Sequence, residues 1–216
     1  VRIDRRSLLC LGALPPLAAL GGCTAVDILA PPPPQLYTLS PKSTFDRPIP
    51  RVDWQLLVET PTAPAAIDTP RVAVARSPMT VDYYAGVSWV DRVPLMLQGL
   101  MIESFENSGR IVAIGREGVS LRADFVLRTE LREFQIDHAD GGVAPAAVVR
   151  LTSRLVSMPR RAIEAVRAFE ARVPASGPTF PAAVAAFDEA LGTVLKRLVE
   201  WTLVEGESSR VRNRGR

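Results

Sequence analysis

Two side chains stand out for the chemistry their scarcity permits. His138 is the single histidine of the 216-residue chain, and Cys23 is one of its two cysteines. A histidine can act as the base of a Ser-His-Asp set. His138, however, opens the turn-like run His138, Ala139, Asp140, Gly141, Gly142, and no Gly-x-Ser-x-Gly nucleophile elbow accompanies it, so a solvated loop is the better reading. Cys23 closes the run Leu20, Gly21, Gly22, Cys23, with an apolar residue at −3, small residues at −2 and −1, and then the thiol. That order resembles a bacterial lipobox, in which cleavage before the cysteine leaves it as an acylated N-terminus. The competing reading is an ordinary secretory cleavage site followed by an incidental thiol.

Other reaction chemistries find little support. Zinc lacks ligands once Cys23 carries lipid, and no Asp-x-Asp-x-Asp-Gly loop offers a calcium site. Neither Gly-x-x-x-x-Gly-Lys-Ser/Thr nor Gly-x-Gly-x-x-Gly occurs, which argues against direct nucleotide binding. A carboxylate pair assembled in three dimensions is the enzymatic alternative, and no motif points to it. The expectation is a protein without catalytic residues, metal or cofactor other than the covalent, palmitate-type lipid on Cys23.

The segments around Cys23 have the order of an export signal and a tether. Residues 1–6 form a positive n-region, and Leu8 to Leu20 form an apolar h-region of 13 residues broken by Pro15 and Pro16. That is too short to remain as a spanning helix. Asp4, Arg5, Arg6, Ser7, Leu8, Leu9 resembles a twin-arginine signal, so the Tat and Sec routes both stay open. Cys10 is discarded with the leader 1–22, which leaves Cys23 as the one thiol of the mature chain and rules out an internal disulfide. Residues 23–35 hold the acylated cysteine and then Pro31 to Pro34, a semi-rigid polyproline spacer of ~3.1 Å per residue.

Removing 22 of the 216 residues leaves 194, enough for one domain with its own core. Hydrophobic and charged fractions of 47% and 23% are those of an ordinary globular chain. Of the formal net charge of +3, the leader supplies +2 through Arg2, Arg5 and Arg6 against Asp4, so nucleic acid is not an expected partner.

The pattern beyond the tether predicts an α+β domain over residues 36–203, a mixed and largely antiparallel sheet with two main helices packed on it. Leu36 to Leu39, Trp54 to Thr60 and Arg71 to Arg76 read as strands, and Met79 to Trp89 as one or two more around Gly86. Pro94, with Asp91 as a nearby cap, opens a helix that Ser108 and Gly109 stop. Ile111 to Ile114 reads as a short strand and Gly115 to Gly118 as a turn. Ala123 to Asp137 alternates cleanly, with Phe125, Leu127, Thr129, Leu131 and Glu133 on one face. His138 to Gly142 is a hairpin connection to a partner strand, Ala146 to Met158. Ala162 to Val173 fits strand or helix, and adjacency to the hairpin selects strand. Thr179 and Pro181 open a second helix with a stripe of Val184, Phe187, Leu191, Val194, Leu195 and Leu198. Asp188, Glu189, Lys196, Arg197 and Glu200 fill its other face. Residues 204–216, with Arg210, Arg212, Arg214 and Arg216, read as a basic disordered tail.

Within this frame Asp82, Tyr83, Tyr84, Ala85, Gly86, Val87, Ser88, Trp89, Val90, Asp91, Arg92, Val93, Pro94, Leu95 is the most distinctive run. Together with the lipobox, the early Leu36-Tyr37-Thr38-Leu39 strand and the order of the later elements, it resembles the ABC-type transport auxiliary lipoproteins, the PqiC-like family. The resemblance covers Leu36 to about Leu203. It implies a periplasmic lipoprotein at the outer membrane, working with an inner-membrane ABC permease and ATPase and an MCE-domain protein to move phospholipids or other hydrophobic molecules. This chain would then be a docking or conduit component, held to the membrane by its lipid, with self-association left open. Thr24 follows the cysteine where enteric bacteria use Asp for inner-membrane retention, so outer-membrane delivery is the default. An activator of a cell-wall synthase or an envelope-assembly lipoprotein would share the same anchor and tether.

Tyr83, Tyr84 and Trp89 are the candidate contacts for a partner or lipid, because aromatic side chains with one polar tip suit such surfaces. Packing within the core is the competing role for each of them.

Overall fold

Apolar and polar side chains alternate along Phe125–Asp137, and this strand becomes the axis of the sheet. The computed structural model describes residues 32–46, 48–77, 79–116, 122–138 and 145–214, with Pro34–Arg216 forming one compact unit. The leader, Cys23 and most of the tether lie outside the described residues, as do residues 139–142 of the expected hairpin connection and 117–118 of the expected turn at 115–118, whose first two residues, Gly115 and Arg116, instead extend the strand before it. In chain order the elements are β1 (Gln35–Tyr37), β2 (Val52–Val58), β3 (Arg71–Ser77), β4 (Thr80–Trp89), α1 (Val93–Ser108), β5 (Ile111–Arg116), β6 (Phe125–Asp137), β7 (Ala146–Ser157), β8 (Ala162–Pro174) and α2 (Phe180–Arg214).

Antiparallel pairing carries the long β6–β7–β8 meander and the β3–β4 hairpin. Shorter parallel ladders join β1 to β4, β2 to β5 and β6, and β3 to β6. One edge of β6 pairs along its length with β7, while the other is divided: Phe125 to Leu127 against β2, and Gln135 to Asp137 against β3. A bridge from Thr62 to Glu130 fills the gap between them. The result is an α+β fold, an eight-stranded mixed sheet with two helices. Residues 162–174 are a strand, as adjacency to the hairpin required.

The bulge in β6 corrects the predicted face of Glu133. Leu131 faces Leu151 but Glu133 faces Arg150, so Arg132 is an extra residue and the alternation inverts beyond it. Phe134 and Ile136 therefore enter the core, and Glu133 turns outward to an ion pair with Arg150. On the inner face Thr129 and Ser153, both buried, satisfy each other through a 2.9 Å hydroxyl contact. The outer face carries further pairs, Arg128 with Glu59 and Arg154 with Glu130, which are exposed and contribute little to stability.

In α1, Pro94 sits in the first turn and Gly109 ends the helix at φ 61°, a left-handed position that glycine adopts without strain. Asp91 satisfies an orphan amide at the helix start, its carboxylate accepting from the Arg92 N–H at 2.7 Å, while Arg92 itself, the N-cap residue, makes no side-chain capping bond.

Helix α2 differs most from the sequence reading. It runs 35 residues, ~50 Å at 1.5 Å per residue, and continues to Arg214 where a disordered tail was expected from residue 204. Three contacts hold the extension: Trp54 Nε1 donates to Glu207 Oε2 at 3.3 Å, Arg210 pairs with Asp53, and Arg212 lies 4.0 Å from Glu164. Gly206 makes room, since a Cβ there would lie 2.5 Å from Trp54 Cζ2. These arginines anchor to acidic partners on the sheet, a pairing that spacing within the tail could not reveal.

Candidate functional site

The three aromatic candidates on β4 do not form one surface. Successive strand residues point to opposite faces, and Tyr83 and Tyr84 follow that rule. Tyr83 donates its hydroxyl to the Ala66 carbonyl at 3.0 Å, while the Arg71 guanidinium sits 3.6 Å from its ring centroid. Tyr84 lies on the helix side, edge-on to Phe180 at 4.9 Å, with its hydroxyl 3.1 Å from His138 Nε2. Phe180 in turn packs edge-on against Tyr37 at 4.9 Å. His138 is thus an end point of an aromatic row. The register of β4 shifts between Tyr83 and Ser88, and Gly86 takes φ 71° within that irregularity.

Trp89 belongs to the core. It is 1% exposed and packs edge-on against Phe134 at 5.6 Å and Phe187 at 5.2 Å, while those two rings stack at 4.9 Å. Its Nε1 has no hydrogen-bond partner among the described residues. An indole enclosed this way supports the junction of β4 and α2 and is out of reach of a surface partner. Tyr83 and Tyr84 are half-buried, so each offers only part of a ring to solvent.

Burial raises the Tyr84 hydroxyl above the ordinary tyrosine value, with Arg76 pulling weakly the other way. Because the folded value is the higher one, this contribution to stability is intact below pH ~10 and is lost as pH rises through the folded value. Tyr84→Phe should flatten the alkaline fall in thermal stability while costing about 1 kcal/mol or less at neutral pH. An unchanged alkaline limb would assign that fall to other groups.

A second feature escaped the sequence reading. The segment after β1 is stitched to both helices: the Ser40 amide donates to Asp188 Oδ1 at 2.6 Å, the Lys42 amide to Ser104 Oγ at 2.9 Å, and Asp46 pairs with Lys196. The Lys196 ammonium beside Asp46 holds that carboxyl below the usual carboxylate range. Strapped in place, the segment forms one wall of a groove whose other wall is α2. Its cavity of about 320 Å³ has Ile49 and Trp201 at the base, Pro48 and Val204 on the rim, and Arg167 and Arg197 to the side. Glu200, placed on the polar face by its spacing, is 8% exposed and borders this groove. The signal in the sequence was the helical continuation of Trp201 and Val204 past the predicted stripe. Among the described residues no cluster of His, Cys, Asp and Glu could hold a metal, and no helix is long and apolar enough to cross a membrane.

The strand order and the two helices define the class of fold, an α+β domain built on one mixed sheet. The chain belongs to the family of ABC-type transport auxiliary lipoprotein components, whose sequence profile matches residues 37–199. It is similar to protein bll6063 of Bradyrhizobium diazoefficiens, at 31% identity over 152 residues, which is 69% of this chain and 39% of that protein. The chain therefore spans well under half the length of that curated relative. The crystal structure of protein XCC0632 from Xanthomonas campestris superposes with a TM-score of 0.77 at 34% identity, covering 82% of this chain and 98% of that one. A second solved structure, at 14% identity and a TM-score of 0.60, covers 77% of this chain and 97% of its own and shows the shared fold alone.

Proposed function

We propose that this protein is a lipid-anchored auxiliary component of an MCE-type ABC transport system. Held at the periplasmic face of the outer membrane through Cys23, it docks an MCE-domain protein and an inner-membrane permease and ATPase so that phospholipids or other hydrophobic molecules can cross the envelope. The role is one of docking or conduit, with no catalysis by this chain. The observation that carries the reading is the family match, which runs from the last residue of β1 into α2 and so includes strands β2 to β8. The run Leu20 to Cys23 and the prolines that follow supply the anchor and the stand-off it needs.

Cys23→Ser tests the anchor. A stable attachment needs more than one acyl chain or an added signal, and the domain alone offers no spanning helix among its described residues. The variant should move from the membrane to the soluble fraction with unchanged thermal unfolding, and should fail to restore envelope integrity in a deletion strain. Full restoration by a soluble variant would count against anchoring as part of the mechanism.

A further inference from the structure

We infer that the end of the domain opposite the tether docks an acidic face of a partner protein through its exposed arginines. Strands β2, β5, β6 and β8 begin at this end, and β7, α1 and α2 finish there. The Val52 amide donates to the Arg110 carbonyl at 2.8 Å, which makes Arg51 and Arg110 neighbours where β2 and β5 start. The Met158 amide donates to the Asp124 carbonyl at 2.8 Å, so the turn that carries Arg160 and Arg161 lies beside the lead-in to β6, which carries Arg122. These five arginines are exposed, and none belongs to an ion pair among the described residues. The carboxylates sit further in and are mostly engaged. Asp53 pairs with Arg210, and Glu164 lies 4.0 Å from Arg212 and accepts the Ser157 hydroxyl at 2.6 Å. Asp124 accepts the Gln55 amide at 2.8 Å, and Glu207 accepts the Trp54 indole at 3.3 Å. That leaves Glu106, in the last turn of α1, as the one carboxylate at this end with no side-chain bond among the described residues. A surface approaching this end meets the guanidinium groups first.

The tether joins the domain at the other end. The parallel ladder that pairs Gln35 with Val87 and Tyr37 with Trp89 brings the chain into β1 from the side of Thr80. Ser77 pairs with Thr80 and Ala75 with Asp137, so Thr80 lies beyond the end of β6. An anchor attached there leaves the arginines to a partner in the periplasm, and the headgroups around the anchor meet the opposite end. From β5 across β2, β6 and β7 to β8 is ~19 Å at the spacing of neighbouring strands. That breadth suits a protein face and exceeds a single headgroup. Guanidinium forks take carboxylates in planar two-point contacts, so the complementary face carries Asp and Glu.

The inference rests on the transport reading for the partner's identity, an MCE-domain protein, and adds the surface and the chemistry of the contact. The test isolates the full, lipid-anchored chain from detergent-solubilised membranes and quantifies the MCE-domain protein recovered with it. Arg51→Glu, Arg110→Glu, Arg122→Glu and Arg160→Glu combined should lower that recovery about tenfold or more, with the chain still in the membrane fraction and its thermal unfolding unchanged. Gln at the same four positions should lose less. Recovery with the native chain should also fall as sodium chloride rises from about 0.1 to 0.5 M, because salt shortens the reach of exposed charges. Undiminished recovery with the four Glu substitutions would overturn the inference and leave the transport reading standing. Absence of the MCE-domain protein from the native isolate would remove the transport reading and this docking surface together. Phosphatidylglycerol vesicles supply the last arm: binding by the Cys23→Ser chain that the four Glu substitutions abolish would overturn the inference by assigning the arginines to a membrane.

Discussion

Trp89→Ala should destabilise the protein by about 3–5 kcal/mol, the usual cost of emptying a large aromatic site in a packed core. The indole touches Phe134 of the central strand and Phe187 of α2 at once, so its removal opens a cavity where sheet and helix meet. The neighbouring rings cannot easily close that space, because they are already stacked on each other at 4.9 Å. For a domain of this size each kcal/mol lowers the melting temperature by roughly 2–4 °C, so the variant should melt roughly 6–20 °C lower. Trp89→Phe should recover much of the loss, since the buried Nε1 has no described partner to miss. If alanine cost under about 1 kcal/mol, the enclosed position assigned to Trp89 would be wrong and a surface contact role would return.

Gly206→Leu should cost about 1–3 kcal/mol, the range for overpacking a filled interior. Alanine is the informative companion. Its helix propensity favours it over glycine by ~1 kcal/mol, yet its Cβ would sit 2.5 Å from a Trp54 ring that is 1% exposed and held by a bond to Glu207. The contact exceeds the propensity gain because the obstacle is a buried ring and not the end of a flexible side chain. Both substitutions should lower the denaturation midpoint, leucine more than alanine. Stabilisation by alanine would mean that the helix beyond Leu203 stands away from β2.

The sheet was legible because local alternation and packing agree over most of its length. Ala146 to Ser157 shows one face of Val149, Leu151, Ser153 and Leu155, and all four are buried. The ambiguity at residues 162–174 yielded to topology, since a strand beside a long hairpin needs only a short connection. Glu133 failed because a bulge depends on pairing with Arg150, and no period within one strand predicts an inserted residue. The helix end failed for a related reason. Arginine-rich composition reads as solvated until Asp53 and Glu164, far away in sequence, supply partners.

The candidate site was less legible than the fold. Types alone made Tyr83, Tyr84 and Trp89 look equivalent, yet strand geometry sends the tyrosines to opposite faces and the register irregularity at Gly86 carries Trp89 into the core. The groove was hidden because Lys42, Ile49, Arg167 and Trp201 come from three separate stretches of chain. They meet only because Ser40, Lys42 and Asp46 bind the segment to α1 and α2.

The transport role is tested most directly by isolating the full chain from detergent-solubilised membranes under native expression and identifying what accompanies it. The account predicts an MCE-domain protein together with an ABC permease and its ATPase, lost when Cys23→Ser frees the domain from the membrane. Recovery of a cell-wall synthase in their place, or the same partners in undiminished yield with the soluble variant, would contradict it.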